Sequence, residues 1–286
     1  MGIARVFPRF FLNKGVSANM TIDFHTHTFP DRIAGPAIAK LAAVCNQQPF
    51  TNGTISQTLQ KMGEWKVDRA VLLSIATKPG QQHTINDCAI ALNREYGDQV
   101  TALGCIHYAN PDVTQELERI AAAGIKGIKI HPDYQQCEID DPRWDEAFAA
   151  CQGLGLFLLT HAGYDPVSPD HIYAPAEKCA RVMSRYPDLK LVLAHFGGMY
   201  QWDQVERLLI GKSRNLWLDT AMVGGRIPKE QYRRMIRNHG ADRILLASDC
   251  PWSTAPHELR ALEQLQLTKE ELEQICWKNA ADLLGL

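Results

Sequence analysis

The chain has 286 residues, of which 45% are hydrophobic and 22% charged, as is typical of a soluble globular protein. This length accommodates one α/β barrel, a fold of roughly 250 residues. The formal net charge of -2 argues against functions that depend on binding nucleic acid or an anionic membrane.

The first 19 residues form a basic segment with Arg5, Arg9 and Lys14 and no acidic residue. Pro8 and Arg9 interrupt its apolar run, which does not fit a secretory signal. No apolar run in the chain approaches the roughly 18 residues of a membrane span. We therefore expect residues 1–19 to be an extension that catalysis does not require, followed by a single domain over residues 20–286.

None of the eight cysteines forms a CxxC pair, which argues against a structural zinc knuckle or a thioredoxin-type motif. Several lie in apolar stretches, so we expect buried, reduced thiols in a cytoplasmic protein.

Short apolar runs alternate along the chain with longer amphipathic segments. The runs predict eight strands: Thr21–His25, Arg69–Ile75, Val100–Ile106, Gly127–His131, Phe157–His161, Leu189–His195, Leu216–Thr220 and Arg243–Asp249. The segments between them predict helices, among them Thr114–Ala122, Trp144–Gln152, Pro175–Arg185 and Lys229–Asn238. A terminal helix over Lys269–Leu284 follows Thr268, which with Glu271 matches a capping box.

This repeated strand–helix order predicts a parallel sheet. The sixth and eighth strands, in LKLVLAH and RILLASD, have centres that are apolar on both faces, as in buried parallel strands. Eight such units in one domain favour a closed (β/α)8 TIM barrel over an open doubly wound sheet. No GxGxxG motif follows the first strand, so the main signal for dinucleotide binding is missing.

Polar side chains stand where the predicted strands end. They are His25 and His27 on strand 1, His131 on strand 4, His161 on strand 5, His195 on strand 6 and Asp249 on strand 8. Because the carboxyl ends of barrel strands share the face that carries the active site, we expect these side chains to converge.

Imidazole and carboxylate ligands suit Zn²⁺, with Mn²⁺, Fe²⁺ and Co²⁺ as alternatives. His25 and His27 alternate along a strand, so both can face one ion. Each residue alone also fits an ordinary structural role: an HxH pair can be packing, and Asp249 can cap a loop. Their conjunction at the ends of strands 1, 5, 6 and 8 favours a catalytic metal site.

The strings IDFHTHTFPD, GIKIHPDYQ, THAG, LVLAHFGG, LWLDT and RILLASDCPW resemble the amidohydrolase superfamily. They are most similar to its amidohydrolase-related branch, which includes the ACMSD-type decarboxylases. The resemblance runs from Ile22 to the C-terminal NAADLL segment.

The resemblance implies that His25, His27, His161 and Asp249 ligate the principal metal. It places His195 beside that metal, as a ligand of a second ion or as a group that orients water or substrate. It also gives Asp249 the role of proton acceptor from the water that the metal activates, which agrees with general metal-ion chemistry.

Lys129 and His131 lie on one face of strand 4 by alternation. Some relatives carry a carboxylated lysine on this strand that bridges two metals, and Lys129 is a candidate for that role. We instead expect Lys129 to pair with a carboxylate and the site to hold one metal, because an inward lysine usually forms an ion pair. We expect His131 to contact substrate or the groups that surround the ligands.

Other residues that follow strand ends are candidates for the pocket wall: Tyr134, Tyr164, Asp165 and Trp252. Asp219 ends strand 7 and is expected to orient a histidine.

The first functional interpretation is a metal-dependent hydrolase of a small ester, amide or lactone. The alternative is a non-oxidative decarboxylase with the same metal ligands, and a non-catalytic metal-binding barrel is a third, less favoured hypothesis. All three predict a small-molecule ligand and leave open whether the protein forms a homo-oligomer.

Overall fold

A computed structural model describes residues 20–286, so the prediction for residues 1–19 lies outside the described part of the chain. The strands are β1 (Ile22–Thr26), β2 (Arg69–Leu72), β3 (Val100–Ala102), β4 (Gly104–Cys105), β5 (Gly127–Ile130), β6 (Phe157–Thr160), β7 (Leu191–Leu193), β8 (Leu216–Asp219) and β9 (Ile244–Leu245). The helices are α1 (Asp31–Cys45), α2 (Ile55–Trp65), α3 (Gln82–Tyr96), α4 (Val113–Ala122), α5 (Pro132–Gln135), α6 (Asp145–Leu154), α7 (Ala176–Arg185), α8 (Trp202–Leu208), α9 (Lys229–His239), α10 (Ala255–Glu263), α11 (Lys269–Glu273) and α12 (Asn279–Leu284).

The strands form two parallel ladders, β1-β2-β3 and β4-β5-β6-β7-β8-β9. Two junctions join the ladders into one closed barrel. At the first, Leu103 lies between β3 and β4 and donates its N–H to the carbonyl of Leu72 at 2.9 Å. At the second, the Phe24 N–H donates to the Leu246 carbonyl at 2.8 Å. The predicted (β/α)8 barrel is confirmed, with β3 and β4 as one interrupted strand position.

Each predicted strand corresponds to a strand of the structure, but several predicted strands are longer than the observed ones. The eighth was expected to reach Asp249, whereas β9 ends at Leu245 and the site residue follows in irregular backbone. The terminal helix also differs, since a π-helical turn over Gln274–Lys278 separates α11 from α12. That turn leaves the Ile275 carbonyl free to accept the Leu246 N–H at 2.9 Å. The capping box of Thr268 and Glu271 is present.

Apolar side chains from several strands fill the barrel interior, among them Phe24, Val71, Leu103, Leu159 and Val192. A second core lies between the strands and the surrounding helices, as alternation along buried parallel strands requires. The polar residues that matter for function therefore sit above a packed floor, at the carboxyl ends of the strands.

Among residues 20–286, no helix combines the length and apolar character that crossing a bilayer requires. The eight cysteines are all free thiols. Five of them are buried as expected, whereas Cys45 and Cys276 are partly exposed and Cys88 is exposed.

Candidate metal centre at the barrel mouth

Three side chains from the two ends of the chain meet at one point. The Nε2 atoms of His25 and His27 lie 3.1 Å apart. Oδ1 of Asp249 lies 3.3 Å from the first and 3.1 Å from the second. A bulge in β1, between Asp23 and Thr26, shifts the register of this strand just where the HxH pair begins.

Nδ1 of each histidine in this group has a hydrogen-bond acceptor within the protein. Nδ1 of His25 lies 2.8 Å from Oδ2 of Asp219, which confirms the expected orienting role of that aspartate. Nδ1 of His27 lies 2.9 Å from the Leu73 carbonyl oxygen. Because both partners only accept hydrogen bonds, Nδ1 carries the proton in each ring and Nε2 presents a lone pair.

Two imidazole lone pairs and a carboxylate oxygen thus converge without a proton donor between them. Burial lowers the pKa of His25 well below its ordinary value, aided by the charge of Lys129, so its ring stays neutral. Such an arrangement is unfavourable unless a cation lies among the three acceptors. The group His25–His27–Asp249 therefore fits a divalent metal, and the donor set is one that zinc and other first-row metals accept.

His195 is oriented in the same way. Its Nδ1 lies 2.9 Å from the Ala221 carbonyl oxygen, which leaves Nε2 as the lone pair. That lone pair faces Nδ1 of His161 at 3.1 Å. His195 also lies close to the first group, with its ring centroid 5.6 Å from that of His25.

His161 belongs to a second group of donor atoms that lie within 4.8 Å of one another, with His131 and Asp165. The rings of His131 and His161 stack at 4.5 Å, and Oδ2 of Asp165 lies 3.4 Å from Nε2 of His131. All the predicted strand-end histidines thus lie together at the carboxyl-terminal mouth of the barrel. The ligand role of His161 toward the first group's metal stays a prediction.

Backbone strain marks this face of the barrel. Asp249 has φ of 67°, and His195 and Phe196 have φ of 56° and 58°. A residue with a side chain adopts this left-handed region at a cost of about 1–3 kcal/mol, which neighbouring contacts must offset. Asp219 supplies such contacts near His195, because its Oδ1 accepts the N–H groups of His195 at 2.9 Å and Ala221 at 3.1 Å.

Lys129 lies on β5 and is only 1% exposed. Burial lowers its pKa, whereas the charges of Asp219, Asp249 and Asp165 oppose that shift. These carboxylates pair with histidines instead, and none forms an ion pair with Lys129 among residues 20–286. The expected ion pair is therefore not formed, and the unmodified state of the lysine stays a prediction.

Of the residues predicted for the pocket wall, Asp165 is buried, whereas the three aromatic ones are half-buried. Tyr134 packs edge-on against His131, with ring centroids 4.5 Å apart. Tyr164 follows β6 and lines an open surface groove of about 550 Å³ together with Met199 and Tyr200. Trp252 donates its backbone N–H to the Asp249 carbonyl at 2.8 Å. Their contact with a substrate remains a prediction.

Two buried polar residues next to the ligands escaped the sequence analysis. Asp23 stands two positions before His25, and Ser248 directly precedes Asp249. The Ser248 hydroxyl donates to Oδ2 of Asp23 at 2.5 Å. The only sequence signal was a charged residue inside an otherwise apolar first strand.

Comparison with known proteins places this chain in a family. A family model described as amidohydrolase matches residues 22–286. A 214-residue stretch is 25% identical to the 2-amino-3-carboxymuconate-6-semialdehyde decarboxylase of Dictyostelium discoideum, covering 60% of this chain and 57% of that protein. A 126-residue stretch is 26% identical to the decarboxylase orsB of Emericella nidulans, covering 37% of each chain. The matches therefore span less than two thirds of each relative.

A solved structure shows the same fold over nearly the full length. It is the 5-carboxyvanillate decarboxylase of Novosphingobium aromaticivorans in complex with manganese and 4-hydroxy-3-methoxy-5-nitrobenzoic acid. The TM-score is 0.70 at 16% identity, and the match covers 93% of this chain and 96% of the other. The chain belongs to the amidohydrolase family and is an enzyme built on that family's (β/α)8 barrel.

Proposed function

We propose that this enzyme is a metal-dependent, non-oxidative decarboxylase of a small carboxylic acid. The observation that carries the proposal is that both curated relatives are decarboxylases, which favours the alternative over the hydrolase interpretation. The buried histidine–carboxylate group supports a metal-dependent reaction. Two solved structures of the same fold, both of 5-carboxyvanillate decarboxylase, contain manganese, so that ion joins zinc as a candidate.

In this proposal His25, His27 and Asp249 hold the metal, with His161 as the further ligand that the family resemblance implies. A bound dication supplies positive charge that holds the carboxylate of the substrate or a hydroxyl beside it. The buried amine of Lys129 adds to the positive potential that favours an anionic substrate. Tyr134, Tyr164 and Trp252 would line the apolar part of the pocket.

The reaction replaces one carbon–carbon bond with a carbon–hydrogen bond. The substrate anion R–CO₂⁻ takes up one proton and yields R–H and CO₂, with no net oxidation. Asp249 is proposed to take up a proton from solvent water and pass it to the carbon that loses CO₂, because its carboxylate lies at the barrel mouth. His195 is proposed to orient the substrate through Nε2, since Nδ1 is held by the Ala221 carbonyl.

The test is a paired assay of the purified, metal-loaded protein. Candidate aromatic and unsaturated acids are incubated in D₂O, and released CO₂ and deuterium in the product are measured together. We expect CO₂ and one deuterium at the carbon that carried the carboxylate. Hydrolysis of an ester, amide or lactone panel without any release of CO₂ would instead establish the hydrolase.

We predict about one equivalent of a divalent transition metal per chain in gently purified protein. Elemental analysis measures both its amount and its identity. Removal by a chelator should abolish activity, and return of zinc or manganese should restore it. His27→Ala should lower the stoichiometry, because His27 contributes one of the three converging acceptors. Full activity in metal-free protein would contradict the proposal.

A further inference from the structure

We propose that Asp23 and Ser248 are positioning residues that clamp the two metal-bearing ends of the barrel together. The inference rests on the proposed metal centre and extends it to residues that do not touch the ion. Asp23 lies on β1 two residues before the HxH pair, whereas Ser248 lies 225 residues later beside Asp249. Their contact therefore joins the two segments that must meet to form the site.

The clamp consists of four buried hydrogen bonds. Oδ1 of Asp23 accepts the N–H of Ser248 at 2.9 Å and the N–H of His25 at 3.3 Å. Oδ2 of Asp23 accepts the Ser248 hydroxyl at 2.5 Å. The same hydroxyl oxygen accepts the N–H of Cys250 at 3.0 Å. Both side chains are buried, at 3% exposure for Asp23 and 0% for Ser248.

These bonds act where the barrel ladder has ended. Strand β9 stops at Leu245, so Asp249 is not held by regular pairing along its own strand. Asp249 instead adopts φ of 67°, and the Ser248 hydroxyl spans it by binding the next N–H group. Backbone bonds from Asp249 N–H to the His25 carbonyl, and from His27 N–H to the Cys250 carbonyl, complete the junction at 2.9 and 2.7 Å.

The contacts of the clamp flank the proposed ligands on both sides. Asp23 binds the backbone of His25, and Ser248 binds the residue after Asp249. Burying a carboxylate is unfavourable unless its hydrogen bonds are strong and well placed. The clamp therefore places the Asp249 carboxylate against the Nε2 atoms of His25 and His27. We expect loss of the clamp to increase these distances without unfolding the barrel.

The experiment compares Ser248→Ala with Thr220→Val. The Thr220 hydroxyl is equally buried and makes two hydrogen bonds of 2.9 and 3.0 Å, both to the backbone of Ala247. Each variant loses one buried hydroxyl, but only Ser248 bonds to the backbone that flanks a proposed ligand. The measurements are the dissociation constant of zinc or manganese, by competition with a chelator, and the free energy of unfolding without metal.

We expect both variants to lose similar stability, while Ser248→Ala weakens metal binding by about 10–100-fold and Thr220→Val by less than about threefold. Ser248→Thr, which keeps the hydroxyl, should restore affinity. Asp23→Asn should weaken binding in the same direction, and it serves as the test if Ser248→Ala does not fold.

Equal affinity in the Ser248→Ala and Thr220→Val proteins would overturn the clamp alone. A wild-type protein that binds no metal, or that binds it as well after His27→Ala, would overturn the proposed centre and the clamp with it. The two failures are distinguishable, because one appears in the comparison of variants and the other in the parent protein.

Discussion

At the scale of single residues, Asp249 carries two proposed roles: metal ligand and proton carrier. Asp249→Asn separates them, because asparagine keeps an oxygen for the ion but cannot carry the proton at neutral pH. General acid–base contributions are about 10²–10⁴-fold, so kcat of the metal-loaded variant should fall at least about a hundredfold. The measurement is steady-state turnover in protein with confirmed metal occupancy.

The control for that prediction is Asp219→Asn. Asp219 holds Nδ1 of His25 at 2.8 Å and does not belong to the converging group. Its replacement should cost about 10–100-fold, chiefly through metal affinity. Near-normal turnover in metal-loaded Asp249→Asn protein would show that Asp249 does not carry the proton. His195 would then be the leading candidate for that role.

The same scale shows what sequence could reveal about the site. His25, His27, His195 and Asp249 stand at strand ends, and the rule that these ends share one face is enough to bring them together. What holds each ring in place could not be foreseen, because the partners of His27 and His195 are backbone carbonyls. A carbonyl is present at every residue, so no side-chain pattern reveals which one is used.

At the scale of elements, side chains of a helix hydrogen-bond the strand backbone on both sides of the break between β3 and β4. Asn86 of α3 binds both backbone groups of Cys105, at 3.0 Å to the carbonyl and 2.8 Å to the N–H. Asn93 binds both backbone groups of Ala102 at 2.9 and 2.6 Å. The sequence predicted one strand over 100–106. Two asparagines seven residues apart on a helix are indistinguishable in sequence from an ordinary polar face.

We predict that Asn86→Ala lowers the free energy of unfolding by about 2–4 kcal/mol, since it leaves two buried backbone groups without partners. Urea unfolding followed by circular dichroism measures the change. Gln60→Ala on the exposed face of α2 is the control and should stay within about 0.5 kcal/mol of wild type. A loss no larger than that of Gln60→Ala would show that water replaces the amide.

At the scale of the whole molecule, the site depends on closure of the barrel. The proposed ligands His25 and His27 come from the first strand, whereas Asp249 follows the last, so no contiguous half of the chain contains the full group. The junction between β1 and β9 is where this dependence lies, because its backbone bonds also position the ligands. Metal binding by the intact barrel should therefore stabilise the closed form, by mass action.

Acid should destabilise the whole molecule through His239, which is not a proposed metal ligand and is buried in the fold. Its Nδ1 accepts the Gly211 N–H at 3.2 Å, and its Nε2 donates to the Leu216 carbonyl at 3.0 Å, which requires the neutral ring. Burial lowers the pKa of His239 to about 4. An unfolded histidine has a pKa of about 6.5, so between these values the unfolded chain binds more protons and stability falls as pH falls.

The contribution of His239 is fully present above about pH 6.5 and should decline by about 2 kcal/mol between pH 7.5 and pH 5. His239→Gln should have a lower free energy of unfolding than wild type at pH 7.5, but that free energy should fall less between pH 7.5 and pH 5. Urea unfolding of metal-free protein at both pH values measures the two changes. His257→Gln, at an exposed histidine, is the control for the loss of an imidazole. An unchanged slope in His239→Gln would show that groups other than His239 set the acid sensitivity of the fold.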